Sequence, residues 1–141
     1  MRIQTLNHST YQHLYHIVWG TKWNRKWLKE YIKPELINSF NTTIEKYPIF
    51  HIVRMNTDLD HVHIEIEIPP NVSVSSAVQI FKQRSSMDLK HKFKFIREIY
   101  IEKGSIWRVG YFSSTVGLNE ELIRKYIDDQ GRSDRPQPAL F

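Results

Sequence analysis

Between His61 and Ile68 the chain alternates strictly: His61, His63, Glu65 and Glu67 form one set, Val62, Ile64, Ile66 and Ile68 the other. A period of two is that of a β-strand, and it commits the stretch to a sheet with one aliphatic and one polar face. Histidines at i and i+2 project from the same face with their backbones about 6.5–7 Å apart, so both rings can reach one metal ion. A pair is only half a site, because an ion needs at least a third anchor. On spacing alone, a polar strand face that includes histidine explains the pair at least as well. Asp58 and Asp60 lie nearby, but Asp60 alternates onto the aliphatic face; Glu65 is on the right face, one step further along.

The flanking segments supply the rest of a small domain. Tyr11–Trp19 is aromatic and β-branched and reads as a strand ending at Gly20. From about Lys29 to Lys46, Ile32, Leu36, Ile37, Phe40 and Ile44 form one helical stripe, stopped before Tyr47-Pro48. Ile49–Met55 is a second strand, and the turn Asn56-Thr57-Asp58 makes it a hairpin with the His61–Ile68 strand. A second helix runs from a Ser73 or Ser75 cap through about Lys90, with Val78, Phe81 and Leu89 inward. Phe93–Lys103 is open between a short helix and a loop. Ser105–Val116 reads as a fourth strand. Asn119 then caps a last helix, Glu120–Gln130, which Gly131 ends. The order β-α-β-β-α-β-α predicts an α+β fold of ferredoxin-like, RRM-like type: an antiparallel sheet, helices mainly on one face, and a C-terminal helix bearing a tyrosine. Residues 1–130 form a single domain in this reading, and 131–141 a flexible tail.

Composition narrows the function classes. The 141 residues include no cysteine, which excludes disulfides and thiolate metal sites and fits a cytoplasmic protein. No apolar run is long enough to span a membrane, and the first residues lack the apolar core of a secretory signal. A net charge of +5 makes a polyanion a plausible partner. The five glycines form no phosphate-binding loop.

Two further places could carry chemistry. On the last helix Tyr126 and Gln130 are four apart and share a face; a tyrosine can act as nucleophile and a glutamine oxygen can ligate a hard cation, although packing and solvation explain both residues too. In Trp19–Lys29, Lys22, Arg25, Lys26 and Lys29 could neutralise phosphates while Trp23 or Trp27 stacks on bases. Equally, the tryptophans could pack the first helix and the lysines form a solvated rim. Lys82-Gln83-Arg84 adds a smaller basic cluster.

The order of these motifs resembles one family. A strand leads into Thr21-Lys22-Trp23-Asn24-Arg25-Lys26, then come Asp60-His61-Val62-His63, Phe81-Lys82-Gln83-Arg84-Ser85-Ser86, Trp107–Gly117 and Ile123–Gln130. This succession is similar to the small single-tyrosine HUH transposases of bacterial and archaeal insertion sequences, the TnpA or IS200-like type, from about Tyr11 to Gln130. The HUH element alone is weak; joined to the Gly-Tyr-Phe strand and the Tyr-x-x-x-Gln helix it is specific. The connector departs at Trp23-Asn24, where the family more often has a tyrosine and an arginine.

The resemblance implies roles residue by residue. His61 and His63 would be metal ligands, Gln130 the third ligand from the tyrosine helix, and Tyr126 the nucleophile. The implied reaction is cleavage and rejoining of single-stranded DNA at insertion-sequence ends through a 5′-phosphotyrosine intermediate, assisted by divalent Mg²⁺ or Mn²⁺. DNA hairpins would be the substrate, with Lys22, Trp23, Arg25, Lys26, Lys82 and Arg84 as candidate contacts. A homodimer with active sites shared between subunits is implied as well. The alternatives are a related HUH nickase, a domesticated hairpin-processing transposase, and a non-catalytic RRM-like nucleic-acid-binding module.

Overall fold

The computed structural model describes residues 13–102 and 104–116. β1 (Leu14–Gly20) is aromatic and β-branched and buried along nearly its whole length. A single 3-10 turn, Lys22–Asn24, follows it. α1 (Lys33–Lys46) opens on Pro34, whose fixed φ suits a first turn, with Glu35 against the positive end of the helix. β2 (His51–Thr57) and β3 (His61–Glu67) pair as a hairpin. α2 (Val74–Lys92) starts at Ser73, whose hydroxyl accepts the N–H of Ser76 at 3.0 Å, and closes on Lys90-His91-Lys92 at its negative end. α3 (Lys94–Ile99) and β4 (Phe112–Thr115) complete the described residues.

The strands lie in the order β2-β3-β1-β4, every pair antiparallel. This is the α+β, ferredoxin-like arrangement expected from the element order. Register sorts the side chains. Tyr15, Ile17 and Trp19 of β1 stand beside Ile66, Ile64 and Val62 of β3, which makes the aliphatic face continuous across the two central strands. Both long helices cover that face: Trp19 meets Phe40 of α1 at 6.1 Å between ring centres, and Phe40 meets Phe81 of α2 at 5.3 Å. The core runs through Ile17, Trp19, Leu36, Phe40, Ile64, Ile66, Phe81 and Leu89, all essentially inaccessible to water.

Several boundaries differ from the sequence reading. α1 begins at Lys33, because Lys29–Ile32 is spent on turns that bring the basic connector back to the sheet. Phe93–Lys103 resolves in part to α3. The fourth strand is the largest change: only Phe112–Thr115 is paired to β1, while Trp107 makes an isolated bridge to Thr21. Gly110 between them has φ of 96°, a left-handed conformation that breaks a strand, and Val109 beside it is 97% exposed. The expected helix Glu120–Gln130, Tyr126 and Gln130 with it, and the tail lie outside the described residues.

Candidate metal centre and nucleic-acid interface

β3 puts His61 opposite Gly20 and His63 opposite Val18 of β1 on the sheet face away from α1 and α2. The two rings are 6.4 Å apart. A third histidine joins them. His16 of β1 stacks on His63 at 6.5 Å with the planes 12° apart, and Phe112 of β4 meets His16 edge-on at 6.1 Å. Sequence reasoning passes over His16, since its membership of this face follows only from the pairing of β1 with β3. Beyond His61, whose side chain is partly exposed, the polar face is buried: His16, His63, Glu65 and Glu67 are each 5% exposed or less. Burial pushes the His16 imidazole down to about 4, so it is neutral near pH 7.

The turn ahead of β3 corrects one expectation. Asp60 precedes the first residue of the strand, so the alternation does not reach it, and its carboxylate lies on the histidine side. Asp60 Oδ1 is 2.6 Å from His61 Nδ1, and Asp58 Oδ1 is 3.5 Å from the same atom. Asp58 Oδ1 also accepts the N–H of Asp60 at 3.2 Å, which holds the two carboxylates in one turn. Candidate ligand atoms of Asp58, Asp60 and His61 all fall within 4.8 Å of one another. Burial alone would lower the His61 imidazole, but hydrogen bonds to Asp58 and Asp60 and their charges outweigh it and raise it to about 9. Burial likewise opposes ionisation of Asp60, yet the His61 hydrogen bond and charge hold its carboxyl below the usual range.

These residues fit a divalent cation. Imidazole is a ligand for such ions, and the Asp58 and Asp60 carboxylates at His61 Nδ1 add negative charge beside the ring. A Cβ added at Gly20 would lie 3.5 Å from both Nε2 and Cδ2 of His61, so glycine keeps that edge of the ring uncrowded.

The basic connector packs against the same turn. Thr21 N–H donates to Asp60 O at 2.9 Å and Leu28 N–H to Leu59 O at 3.0 Å, so residues 21–28 bracket the aspartates. The two connector tryptophans part company here. Trp27 is buried, its Nε1 donating to Tyr100 Oη at 2.8 Å; that hydroxyl donates in turn to Lys22 O at 2.7 Å. Trp23 is 61% exposed, with Lys22 Nζ 5.1 Å from its ring centre and the Tyr100 ring at 5.4 Å. Trp23 and Asn24 both have left-handed backbone, φ of 64° and 55°, which is unusual for an indole side chain and presents it outward. Arg25, Lys26 and Lys29 are exposed around it. Lys22, Trp23, Asn24, Trp107 and Arg108 line a cleft of about 470 Å³.

The α2 cluster is engaged within the fold. Lys82 Nζ donates to Arg108 O at 2.6 Å and to Gly110 O at 3.0 Å, and burial lowers its pKa to about 8. Arg84 Nε donates to Thr43 Oγ1 at 3.1 Å, tying α2 to α1. Ser85 Oγ accepts from Trp107 Nε1 at 2.9 Å, and Ser86 Oγ from Ile106 N–H at 3.1 Å. The Lys82–Ser86 motif therefore anchors the segment leading to β4. A larger cleft of about 740 Å³ lies between α2 and that segment, walled by Gln79, Lys82, Gln83, Trp107 and Tyr111.

Comparison with known proteins gives the chain's family and fold. A family model described as "Transposase IS200 like" matches residues 9–130. The transposase for insertion sequence element IS200 of Salmonella typhimurium strain LT2 is 30% identical over 132 residues, 94% of this chain and 86% of the relative; the Salmonella typhi protein of the same description matches equally. Among solved structures, a candidate transposase from Deinococcus radiodurans R1 superposes with a TM-score of 0.66 at 21% identity, over 83% of this chain and 89% of that one. A REP-associated tyrosine transposase bound to a REP hairpin superposes with a TM-score of 0.58 at 13% identity, over 84% of this chain and 67% of that one.

Proposed function

Since the chain belongs to the family of IS200-like transposases, we propose that it cuts and rejoins single-stranded DNA by metal-assisted transesterification through Tyr126. The family suggests DNA cleavage and rejoining with a divalent metal. The observation that carries the finer reading is the packing of the connector, with its lysines, arginine and exposed Trp23, against the turn that holds His61. A phosphate bound by the connector would lie beside the metal-ligating strand.

His61 and His63 would hold the ion with Gln130, and Mg²⁺ or Mn²⁺ suits a phosphoryl reaction. When bound, the ion would polarise phosphate oxygens, and two imidazoles and an amide would bring no negative charge of their own to it. Tyr126 Oη loses its proton and attacks a backbone phosphorus. The new P–O(tyrosine) bond forms as the P–O3′ bond breaks, and the departing 3′ oxygen takes a proton to become a hydroxyl. A second 3′-hydroxyl later attacks the 5′-phosphotyrosine, re-forming a phosphodiester and returning the proton to Tyr126.

A DNA hairpin is the substrate in this reading; the REP-associated tyrosine transposase of similar fold is bound to a REP hairpin. Lys22, Arg25 and Lys26 would meet phosphates and Trp23 an unpaired base; Lys82 and Arg84 would act from α2. The working unit is a homodimer in which the tyrosine helix of one subunit serves the histidines of the other. Acting on element DNA within a bacterium or archaeon, the protein would work in the cytoplasm. Among the described residues no helix is long and apolar enough to cross a membrane.

The deciding experiment mixes protein, Mn²⁺ and a labelled single-stranded hairpin and looks for a denaturant-stable adduct. Its presence in the wild type and loss in Tyr126→Phe support the reading; no adduct over varied hairpins favours a binding module without catalysis. For the shared site, active mixed dimers of His61→Ala and Tyr126→Phe subunits are expected, and their absence sinks that arrangement.

A further inference from the structure

The side of His61 away from Gly20 is the informative one. A carboxylate can only accept a hydrogen bond, so the 2.6 Å contact with Asp60 Oδ1 requires His61 Nδ1 to carry the hydrogen. The lone pair of the neutral ring then belongs to Nε2, the atom on the edge that Gly20 leaves uncrowded. Asp60 is itself fixed at three points: its N–H bonds to Asp58 Oδ1, its carbonyl accepts from Thr21, and its side chain meets His61.

We infer that Asp60, braced by Asp58, is a positioning residue that locks His61 with Nδ1–H inward and Nε2 toward the metal. The inference rests on the metal-assisted reading above but concerns only how one ligand is aimed. A ring with both nitrogens unconstrained would bind through either one and would lose rotational freedom on binding. Carboxylate partners of this kind change metal affinity about 10–100-fold when removed. The same clamp ties the basic connector to the ligand, because Asp60 O anchors Thr21 while Asp60 Oδ1 anchors His61.

The test measures Mn²⁺ binding by electron paramagnetic resonance on the full chain without DNA, with His61→Ala as baseline. Asp60→Ala should weaken binding about 10–100-fold. Asp60→Asn, which keeps an oxygen to accept Nδ1–H, should lose less. ¹⁵N spectra of the Zn²⁺-loaded protein should show His61 coordinated through Nε2 with Nδ1 protonated. Affinities of both variants within twofold of wild type overturn the inference. Equal losses in Asp60→Asn and Asp60→Ala, or coordination through Nδ1, overturn it too, since they make Asp60 a direct ligand. Wild-type protein no better than the baseline defeats the metal reading itself, whereas a missing tyrosine adduct with intact Mn²⁺ binding leaves the inference standing.

Discussion

Trp27 and Tyr100, far apart in sequence, are joined by an indole N–H donated to the phenol oxygen at 2.8 Å. That phenol donates onward to Lys22 O at 2.7 Å, so one hydroxyl pins the connector at both ends. Tyr100→Phe leaves the buried Trp27 N–H and the Lys22 carbonyl without this partner. Expected is a loss of about 1–3 kcal/mol, read from the urea midpoint, with weaker hairpin binding and unchanged Mn²⁺ affinity.

The exposed half of the connector should separate charge from stacking. Replacing Lys22, Arg25 and Lys26 by alanine removes phosphate partners. The slope of log affinity against log salt should then fall by roughly 0.7 for each single-strand phosphate that is no longer neutralised. Trp23→Ala should keep the slope and weaken binding by about 1–3 kcal/mol at every salt concentration. A slope unchanged in the triple variant removes the connector from the interface.

Two histidines on the polar face should give the metal-free protein a stability maximum near pH 6.5. Burial lowers His16 from 6.5 to about 4. Between those values the unfolded chain holds the extra proton, so stability is lost as pH falls. His61 is raised from 6.5 to about 9, its burial outweighed by the hydrogen bonds and charges of Asp58 and Asp60. There the folded chain holds the extra proton, and stability is lost as pH rises from 6.5 to 9. In EDTA, the difference between wild type and His16→Gln should vary with pH on the acid limb, and that for His61→Ala across the alkaline limb, with a further acid-side change because Asp60 loses its partner. Parallel curves would reject these assignments.

How much of the fold and site is legible in sequence depends on how local each cause is. The alternation of β3, the Leu36 and Phe40 core of the α1 stripe and the Ser73 cap are written in neighbouring residues and reappear as expected, while Ile37 of that stripe faces outward at 40% exposure. His16 is not readable, because it meets His63 only through a strand pairing formed across the chain. A strand's period carried one residue past the strand's start puts Asp60 on the wrong face. Trp107–Tyr111 has strand-like composition, but Gly110 at positive φ and the Thr21 bridge divert it. Trp23 and Trp27 have equal propensities; a left-handed turn sends one outward while the Tyr100 hydrogen bond holds the other in.

Gly20 offers a way to block the centre without touching a ligand. It sits in the extended backbone of β1 opposite His61, a conformation that a β-branched residue adopts readily. Its Cβ, however, would lie 3.3 Å from Asp60 O and 3.5 Å from His61 Nε2. The two methyl groups of a valine must then occupy space beside the nitrogen that faces the ion. Gly20→Val should still fold, at a cost of about 1–3 kcal/mol for the crowding, yet bind Mn²⁺ at least about tenfold more weakly, with a matching fall in tyrosine adduct. Normal Mn²⁺ affinity in a folded Gly20→Val protein would mean that the ion approaches His61 from another side.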